Sequence, residues 1–225
     1  LEFHSYSGGL TKMSDGTSGW NADHDRMGNV THIEFFDSDW NACACTNGYA
    51  GWEAEYNDRG DLTCMKLLDV HGKLAQCNDG YALFRNVYAE NSQSTSYFDE
   101  NDKPCITRDG FHKIQYIFDD YGNLLETSFY NDKNEISEAK AGHAIVRTTY
   151  DDRGNAIKIE HFDSDRAHIK VDGVEVIEKE YDRYGRATCV RFYNGDGVPT
   201  KNKQGIYGYE VGYDNRGEQI SYRGF

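Results

Sequence analysis

The 225-residue sequence has only two prolines and three methionines, and none of its hydrophobic runs approaches the ~20 residues that a membrane-spanning helix needs. Basic residues are also scarce. There are 24 Lys and Arg against 38 Asp and Glu, so the formal net charge is -14. A surface this acidic repels nucleic acid phosphates and anionic lipids. We therefore expect no nucleic acid partner and no insertion into a membrane.

Motifs that carry chemistry are equally scarce. The six cysteines contain no Cys-x-x-Cys pair, which leaves a zinc or redox motif without support. Serine, cysteine and lysine do not occur in a nucleophile motif, and the sequence pairs no two carboxylates for acid–base work. We therefore expect a protein that is not an enzyme, with no catalytic residues and no metal-binding residues.

What the sequence does contain is a repeat of about 32 residues. Each copy begins at a large, usually aromatic residue, carries a central glycine about 13 residues later, and ends its first strand on a closing ring about eight residues after that glycine. The seven starts are Phe3, Phe35, Leu67, Tyr97, Phe129, His161 and Phe192. The copies span residues 1–34, 35–66, 67–96, 97–128, 129–160, 161–191 and 192–225, and we expect them to form a single array.

The clearest stretch reads YDDRGNAIKIEHFD, from Tyr150 to Asp163, and it runs from the end of the fifth copy into the sixth. An Asp-x-x-Gly-Asn turn separates a strand that ends in an aromatic from a strand in which apolar and polar residues alternate. A second turn follows the aromatic-Asp pair. We interpret the central glycine of each repeat as a bend or bulge, which leaves two strand passes per repeat. The third copy is two residues shorter around residues 88–93, through either drift or a loop specialised for a partner.

These patterns predict an all-β fold in which tandem hairpins form a solenoid or a curved ribbon. The alternative is a seven-bladed propeller, whose four-stranded blades usually need ~40 or more residues. The core should contain the repeat starts, the closing rings, strand positions such as Ile157 and Ile159, and the residue four positions after each central glycine. That last residue is apolar in every copy, for example Trp20 and Trp52.

The recurring Tyr-Asp-x-x-Gly unit resembles the YD repeats of Rhs-type proteins. The resemblance is strongest at residues 150–155, 181–186 and 213–218, and it extends over the whole chain. It implies hairpin repeats of the kind found in bacterial surface and toxin-delivery proteins and in animal adhesion receptors. It implies no catalytic residue. The period near 32 residues is longer than the usual YD unit.

One turn is a candidate binding site. Trp40 occupies a position where no other copy has an aromatic residue, and Asp37, Asp39 and Asn41 surround it. An exposed ring beside carboxylates and an amide is a common arrangement in sugar-binding sites. The alternative is a ring that folds over its own hairpin.

No cofactor is expected, although calcium is possible. Turns such as Asp37-Ser38-Asp39 and Asp163-Ser164-Asp165 could supply some of its oxygen ligands, yet the EF-hand spacing is absent. The cysteines occupy three repeat positions twice each, as small residues tolerated in strands. A disulfide between Cys45 and Cys77, which are equivalent in adjacent repeats, is geometrically conceivable.

We therefore predict a non-enzymatic scaffold that binds a protein or a glycan and belongs to a larger bacterial surface or secreted protein. Leu1 is in phase with the repeat, so we expect the sequence to be a piece of that protein, located extracellularly or at the cell surface. One alternative is a dedicated carbohydrate-binding module. Another is a regulatory or substrate-binding segment of an enzyme that lies outside this sequence.

Overall fold

A computed structural model describes residues 11–225, so the first repeat start, Phe3, lies outside the described residues. The described residues form strands and turns and no helix. The strands are β1 (Gly19–His24), β2 (Val30–Phe36), β3 (Gly51–Tyr56), β4 (Leu62–Leu68), β5 (Leu83–Ala89), β6 (Ser92–Phe98), β7 (Lys113–Phe118), β8 (Leu124–Tyr130), β9 (Ile145–Tyr150), β10 (Ala156–Phe162), β11 (Val176–Tyr181), β12 (Ala187–Tyr193), β13 (Gly208–Tyr213) and β14 (Gln219–Gly224).

The chain forms two compact units. One contains residues 1–88 and 94–113, and the other contains residues 89–93 and 114–225. In the second unit, strands β7 to β14 lie in one antiparallel sheet in chain order. A propeller blade ends after four strands, so the propeller alternative is wrong and the predicted all-β array of tandem hairpins is confirmed. The assignment of all seven copies to a single array stays a prediction.

Each repeat contributes one hairpin, as the two predicted strand passes require. In the hairpin of β9 and β10, for example, Val146 pairs with His161 and Thr148 pairs with Ile159. The register shifts near the closing ring, where Tyr150 pairs with Ala156. Comparable shifts occur beside the closing rings of the other hairpins whose pairing is described.

The central glycine forms the bend that was one of its two predicted interpretations, within a tight turn, and it is not a strand bulge. In the second copy the amide of Gly48 donates to the carbonyl of Cys45, at 3.0 Å, and the amide of Cys45 donates to the carbonyl of Tyr49, at 2.8 Å. Gly48 has a φ of 98°, which suits glycine because it has no Cβ. The turn lies in the connection between hairpins, so it adds no third strand to the repeat.

Neighbouring hairpins are linked by few strand pairs. Strands β12 and β13 pair through three residues each, and the described links β2–β3, β4–β5, β8–β9 and β10–β11 have the same extent. A second link is a hydroxyl bond from the closing tyrosine of one hairpin to the first carbonyl of the strand beside it. These bonds, 2.9 to 3.0 Å long, run from Tyr56 to Val30, Tyr88 to Leu62, Tyr150 to Leu124, Tyr181 to Ala156 and Tyr213 to Ala187. We call them tyrosine staples.

The connections between hairpins form a third link. The amide of Thr46 donates to the carbonyl of Asp15 in the preceding connection, at 2.7 Å, and the amide of Asn78 donates in the same way to Asn47, at 3.0 Å. In the second unit, the backbone amide of Lys203 donates to the carbonyl of Asp172, at 2.9 Å. Neighbouring repeats are therefore joined at the tyrosine staples, along the strands and through the connections.

Small residues where a connection enters the sheet are among the most deeply buried, together with the larger Leu83 and Ile145 that follow two of them. Ala144 is fully buried because its carbonyl accepts from Phe129 and its amide donates to Phe162, so strands flank it on both sides. Ala50 and Ala82 are bonded in the same way in their repeats. These positions come two residues after the central glycine, and the sequence analysis did not single them out.

The predicted core residues are only partly buried. Among the repeat starts, Leu67 and Phe192 are buried, whereas Phe35 and the predicted core residues Trp20 and Trp52 are intermediate. A single layer of sheet leaves both faces partly open to water, so large side chains on it are covered mainly by their neighbours along the face. The result is a series of small clusters, such as the one formed by Val174, Val190 and Phe192.

The shorter copies differ only in their turns. In the third copy, Glu90 and Asn91 alone separate β5 from β6, so the irregular segment is a two-residue hairpin loop. In the sixth copy, Val171 and Val174 exchange both backbone hydrogen bonds around Asp172 and Gly173, both with positive φ. This two-residue turn explains why Gly173 comes one residue early.

Removal of one staple should weaken the link between two hairpins. We expect Tyr150→Phe to lower the free energy of unfolding by about 0.5–1.5 kcal/mol, because the Leu124 carbonyl loses its hydroxyl donor while the ring stays. Urea denaturation would measure this loss. Tyr121→Phe is the matched control, since Tyr121 is 92% exposed and should change stability little. Equal losses in the two variants would contradict the role of the staple.

Candidate functional site

Six of the seven described hairpin tips are held by the side chain of the residue that follows the closing ring, and the two-residue loop of Glu90 and Asn91 is the exception. In the tip at residues 119–123, Asp119 Oδ1 accepts from the amides of Tyr121, at 2.9 Å, and Asn123, at 2.8 Å. The Asn123 side chain donates to Asp119 Oδ2 at 2.8 Å. The tips at 25–29, 57–61, 151–155, 182–186 and 214–218 repeat this pattern. The Asp of the Tyr-Asp motif is therefore a turn-forming residue.

The charge state of these carboxylates fits that role. The hydrogen bond from the Asn123 side chain holds the pKa of Asp119 below its ordinary value, and Asn155 has the same effect on the pKa of Asp151. The anion is favoured because it accepts several N–H bonds at once. These carboxylates thus stay ionised and stay engaged with the turn.

In six of the seven described tips, one exposed residue contributes its backbone amide to the turn. It lies two positions after the turn-forming residue, where its amide is bonded and its side chain extends into solvent. At Arg59 the side chain also pairs with Asp61 of the same tip, at 3.2 Å. These tip residues are Met27, Arg59, Tyr121, Arg153, Tyr184 and Arg216, and all six are exposed. The sequence analysis missed the two tyrosines. Their fixed offset from the turn glycine is the signal that could have found them.

A groove lies between the tips of two neighbouring hairpins in the second unit. It has a volume of about 710 Å³ and is lined by Asp119, Tyr121, Asn123, Leu125, Thr148, Thr149, Tyr150, Asp151, Asp152, Arg153 and Gly154. The staple from Tyr150 to Leu124 fixes its floor, and the exposed ring of Tyr121 forms part of its wall. The first unit has an equivalent groove of about 520 Å³, in which Met27 takes the place of Tyr121.

The next aromatic tip is flanked by guanidinium groups. Arg183 lies 4.6 Å and Arg186 lies 5.0 Å from the centre of the Tyr184 ring, and Arg186 also lies 4.6 Å from the ring of Tyr213. Arg186 is in turn paired with Asp182 at 2.6 Å. These contacts hold the ring of Tyr184 among the exposed tip residues of the second unit. We call these residues the tip row: Tyr121, Arg153, Tyr184 and Arg216.

The predicted site around Trp40 is a connection turn with the same construction as a tip. Asp37 Oδ1 accepts from the amides of Asp39 and Asn41, each at 2.9 Å. Trp40 is 43% exposed, and its ring lies 5.4 Å from that of Phe36. The turn does bring the four predicted residues together. However, Asp37 serves the turn and Trp40 rests partly on its own hairpin, so the sugar-binding interpretation stays a prediction.

The aspartates considered as calcium ligands bond within their own turns or to a nearby arginine, and the cysteines considered for a disulfide are not bonded to each other. Asp163 holds its turn as Asp37 does, and Asp102 pairs with Arg85 at 2.7 Å. Within residues 11–225, His, Cys, Asp and Glu side chains do not converge in groups of three that could hold a metal ion. All six cysteines are free thiols, including Cys45 and Cys77, which are both buried. Burial raises the pKa of Cys105 to about 11.

Two imidazoles replace aromatic rings in the interior of the second unit. His143 packs between Phe129, at 5.6 Å, and His161, at 5.5 Å between ring centres. The buried Nδ1 atoms of both histidines make no hydrogen bond to any described residue. Burial lowers the pKa of both, and the proximity of His143 lowers that of His161 further, while Asp172, itself paired with Lys203, acts in the opposite sense.

Comparisons with known proteins give matches at the level of structure only. No family model and no curated protein matches the sequence. Among solved structures, a chain of the TcdB2-TccC3-Cdc42 crystal structure matches at 14% identity with a TM-score of 0.46, over 91% of this chain. A chain of TcdB2-TccC3 matches at 14% identity with a TM-score of 0.45, over 99% of this chain. The form without its hypervariable C-terminal region matches at 13% identity with a TM-score of 0.43, over 89% of this chain.

These matches cover about one tenth of the solved chains, namely 10% of the first and 11% of the second. The matched regions are thus segments of chains far longer than this one. The hairpin-repeat architecture expected from the YD resemblance is present in the strands and turns themselves. None of the described residues belongs to a helix long and apolar enough to cross a membrane.

The backbone at Trp40 gives a test of what this residue contributes. Its φ of 62° lies in the left-handed region, which costs a residue with a Cβ about 1–2 kcal/mol. We expect Trp40→Gly to be about 1 kcal/mol more stable than Trp40→Ala in urea denaturation, because both lose the ring and only glycine relieves the backbone. At Asp39, which does not have positive φ, alanine should be the more stable of the same two variants. Equal stability of the two Trp40 variants would contradict this account.

The imidazole pair predicts loss of stability in mild acid. A folded-state pKa below the unfolded value of about 6.5 means that the unfolded chain binds protons first, so stability is complete above that pH and falls as the pH drops below it. We expect the free energy of unfolding to fall between pH 7.5 and 5.5, and to fall less in the double variant His143→Phe, His161→Phe. The exposed His71→Gln is the control. An unchanged pH slope in the double variant would contradict the prediction.

Proposed function

We propose that this chain is a non-enzymatic hairpin scaffold whose tip row binds a protein partner, within a larger secreted or surface-exposed bacterial protein. The observation that carries the proposal is the division of labour in each tip. The turn is completed by the side chain of its first residue and by backbone amides, while the side chain two positions later is exposed to solvent, where a partner can reach it.

The identity of the tip residues favours a protein partner. Tyrosine and arginine are the residues most often found to dominate binding energy at protein interfaces, together with tryptophan. In the second unit the successive tips carry Tyr121, Arg153, Tyr184 and Arg216, so the two types alternate. The net charge of -14 would also attract a partner with a basic surface.

The geometry around the tips supports binding by a preformed surface. The groove beside Tyr121 has its floor fixed by a staple, and Arg183 and Arg186 flank the ring of Tyr184. A ring that is already oriented loses little conformational entropy when a partner covers it. The proposed location outside the cell follows from the YD resemblance.

Site-specific photo-crosslinking tests the proposal. A photoreactive phenylalanine analogue would replace Tyr121 or Tyr184, and the protein would be exposed to secreted and surface fractions of the bacterium that produces it. We expect a discrete protein adduct at both positions. None is expected at Tyr207, which lies in a connection and not at a tip.

Competition makes the test quantitative. Unmodified protein should suppress the adduct, and the double variant Tyr121→Ala, Tyr184→Ala should do so at least tenfold less effectively, since loss of two interface rings costs about 2 kcal/mol. Equal competition by the two proteins would contradict the proposal. So would saturable binding on a glycan array, with or without calcium, that Trp40→Ala abolishes, because it would indicate a carbohydrate-binding module.

A further inference from the structure

Arg186 shows what the space between two neighbouring tips of the second unit can hold. It ends its own tip, and its guanidinium group reaches the next one. The group lies 5.0 Å from the centre of the Tyr184 ring and 4.6 Å from that of Tyr213. Its Nε donates to Asp182 at 2.7 Å, and its Nη1 lies 3.5 Å from the carbonyl oxygen of Asp214. The side chain is only 26% exposed, so this space is a site for a guanidinium group that the chain fills itself.

The groove between the tips at 119–123 and 151–155 has the same surroundings. Each residue around Arg186 has a residue of the same type at the equivalent position of this groove. The equivalent residues are Tyr121 for Tyr184, Tyr150 for Tyr213, Asp119 for Asp182 and Asp151 for Asp214. The position of Arg186 itself is the exception, because Asn123 occupies it.

Asn123 is too short to fill this groove. Its side chain donates to Asp119 Oδ2 at 2.8 Å, as the Nε of Arg186 does in its own tip, but it ends there. Tyr121 is 92% exposed, against 65% for Tyr184, which two guanidinium groups flank. The groove of about 710 Å³ therefore keeps the rings and carboxylates of the site that Arg186 fills, while residue 123 leaves its space open.

The charges of the groove favour a cation. Three carboxylates line it, against one guanidinium group, that of Arg153. The carboxylates are those of Asp119, Asp151 and Asp152. A guanidinium group suits this lining better than an ammonium group, because it is planar, stacks on tyrosine rings and can donate two hydrogen bonds to one carboxylate.

We propose that the groove between the tips at 119–123 and 151–155 binds an arginine side chain of the protein partner. Its guanidinium group would lie between the rings of Tyr121 and Tyr150, as that of Arg186 lies between the two equivalent rings, and it would pair with the carboxylates of the lining. This inference rests on the proposed function of the tip row, and it adds the chemistry of one contact.

Titration with a capped arginine peptide tests the site directly. The probe is acetyl-Gly-Arg-Gly-amide, added to the isotope-labelled chain while amide shifts are followed by NMR. We expect saturable shifts at Tyr121 and Gly154 with a Kd of about 1–10 mM. Met27 should shift little, because its groove has no tip tyrosine. The same peptide with citrulline, which keeps the shape and loses the charge, should bind at least about fivefold more weakly.

Two variants of the chain locate the site. Asn123→Arg gives this groove the residue that fills the other, so peptide binding should be lost while the tip survives through a pair with Asp119, as Arg186 pairs with Asp182. Tyr121→Ala should weaken binding about three- to tenfold, and circular dichroism would confirm that both variants fold. Absence of saturation by about 50 mM peptide would overturn the proposal. So would equal binding of the citrulline peptide, or full binding by either variant.

The crosslinking competition separates this proposal from the tip row itself. If the partner inserts an arginine here, Asn123→Arg should suppress the adduct at Tyr184 at least about fivefold less effectively than the unmodified chain. Equal suppression of an adduct that still forms would overturn the arginine site and leave the tip row in place. Absence of any adduct would contradict the tip row and, with it, the assignment of the arginine to a partner, even where the peptide binds.

Discussion

The hydrogen bond from a closing tyrosine to the neighbouring hairpin is the interaction on which the regularity of this structure depends. Three residue pairs would leave considerable freedom for one hairpin to twist against the next. The tyrosine hydroxyl adds a contact near the tip, and the connection turns add another farther along the repeat. Two hairpins held in three places keep one register, and a wrong register would carry every side chain to the opposite face.

This arrangement replaces a central core with a sequence of local ones. Clusters such as that of Ala144, Ile145 and Phe162 join elements close in the chain. Stability in such a protein is approximately a sum of terms for each repeat and for each link between neighbours. The proposed binding surface benefits, because tip side chains contribute little to these links and can differ from tip to tip.

The sequence predicted the strands and tip turns well because both rest on local rules. Alternation placed β10, and the Asp-x-x-Gly unit placed the tip before it. The central glycine was left as a bend or a bulge because both favour a left-handed residue, and the hydrogen bond between Cys45 and Tyr49 decides for a bend within a tight turn. Buried Ala144 could not be foreseen, since its burial comes from strands on both sides. Tyr121 was missed because its side chain is exposed only when the turn is closed by its backbone amide and the Asp119 side chain, and the sequence does not show which atoms close the turn.

The two-residue turns of the third and sixth copies show that the number of residues in a repeat can change while the arrangement of its strands stays the same. A loop can lose one or two residues while the strands that flank it keep their pairing, because the change is absorbed where the backbone reverses. The spatial unit is then one hairpin, about 9.6 Å across at the usual strand spacing, whatever the number of residues that encode it. Residues can therefore be inserted or deleted in a loop during evolution without moving neighbouring tips apart. A search for a strict residue period would overlook relatives that share the hairpin spacing but differ in the number of residues per repeat.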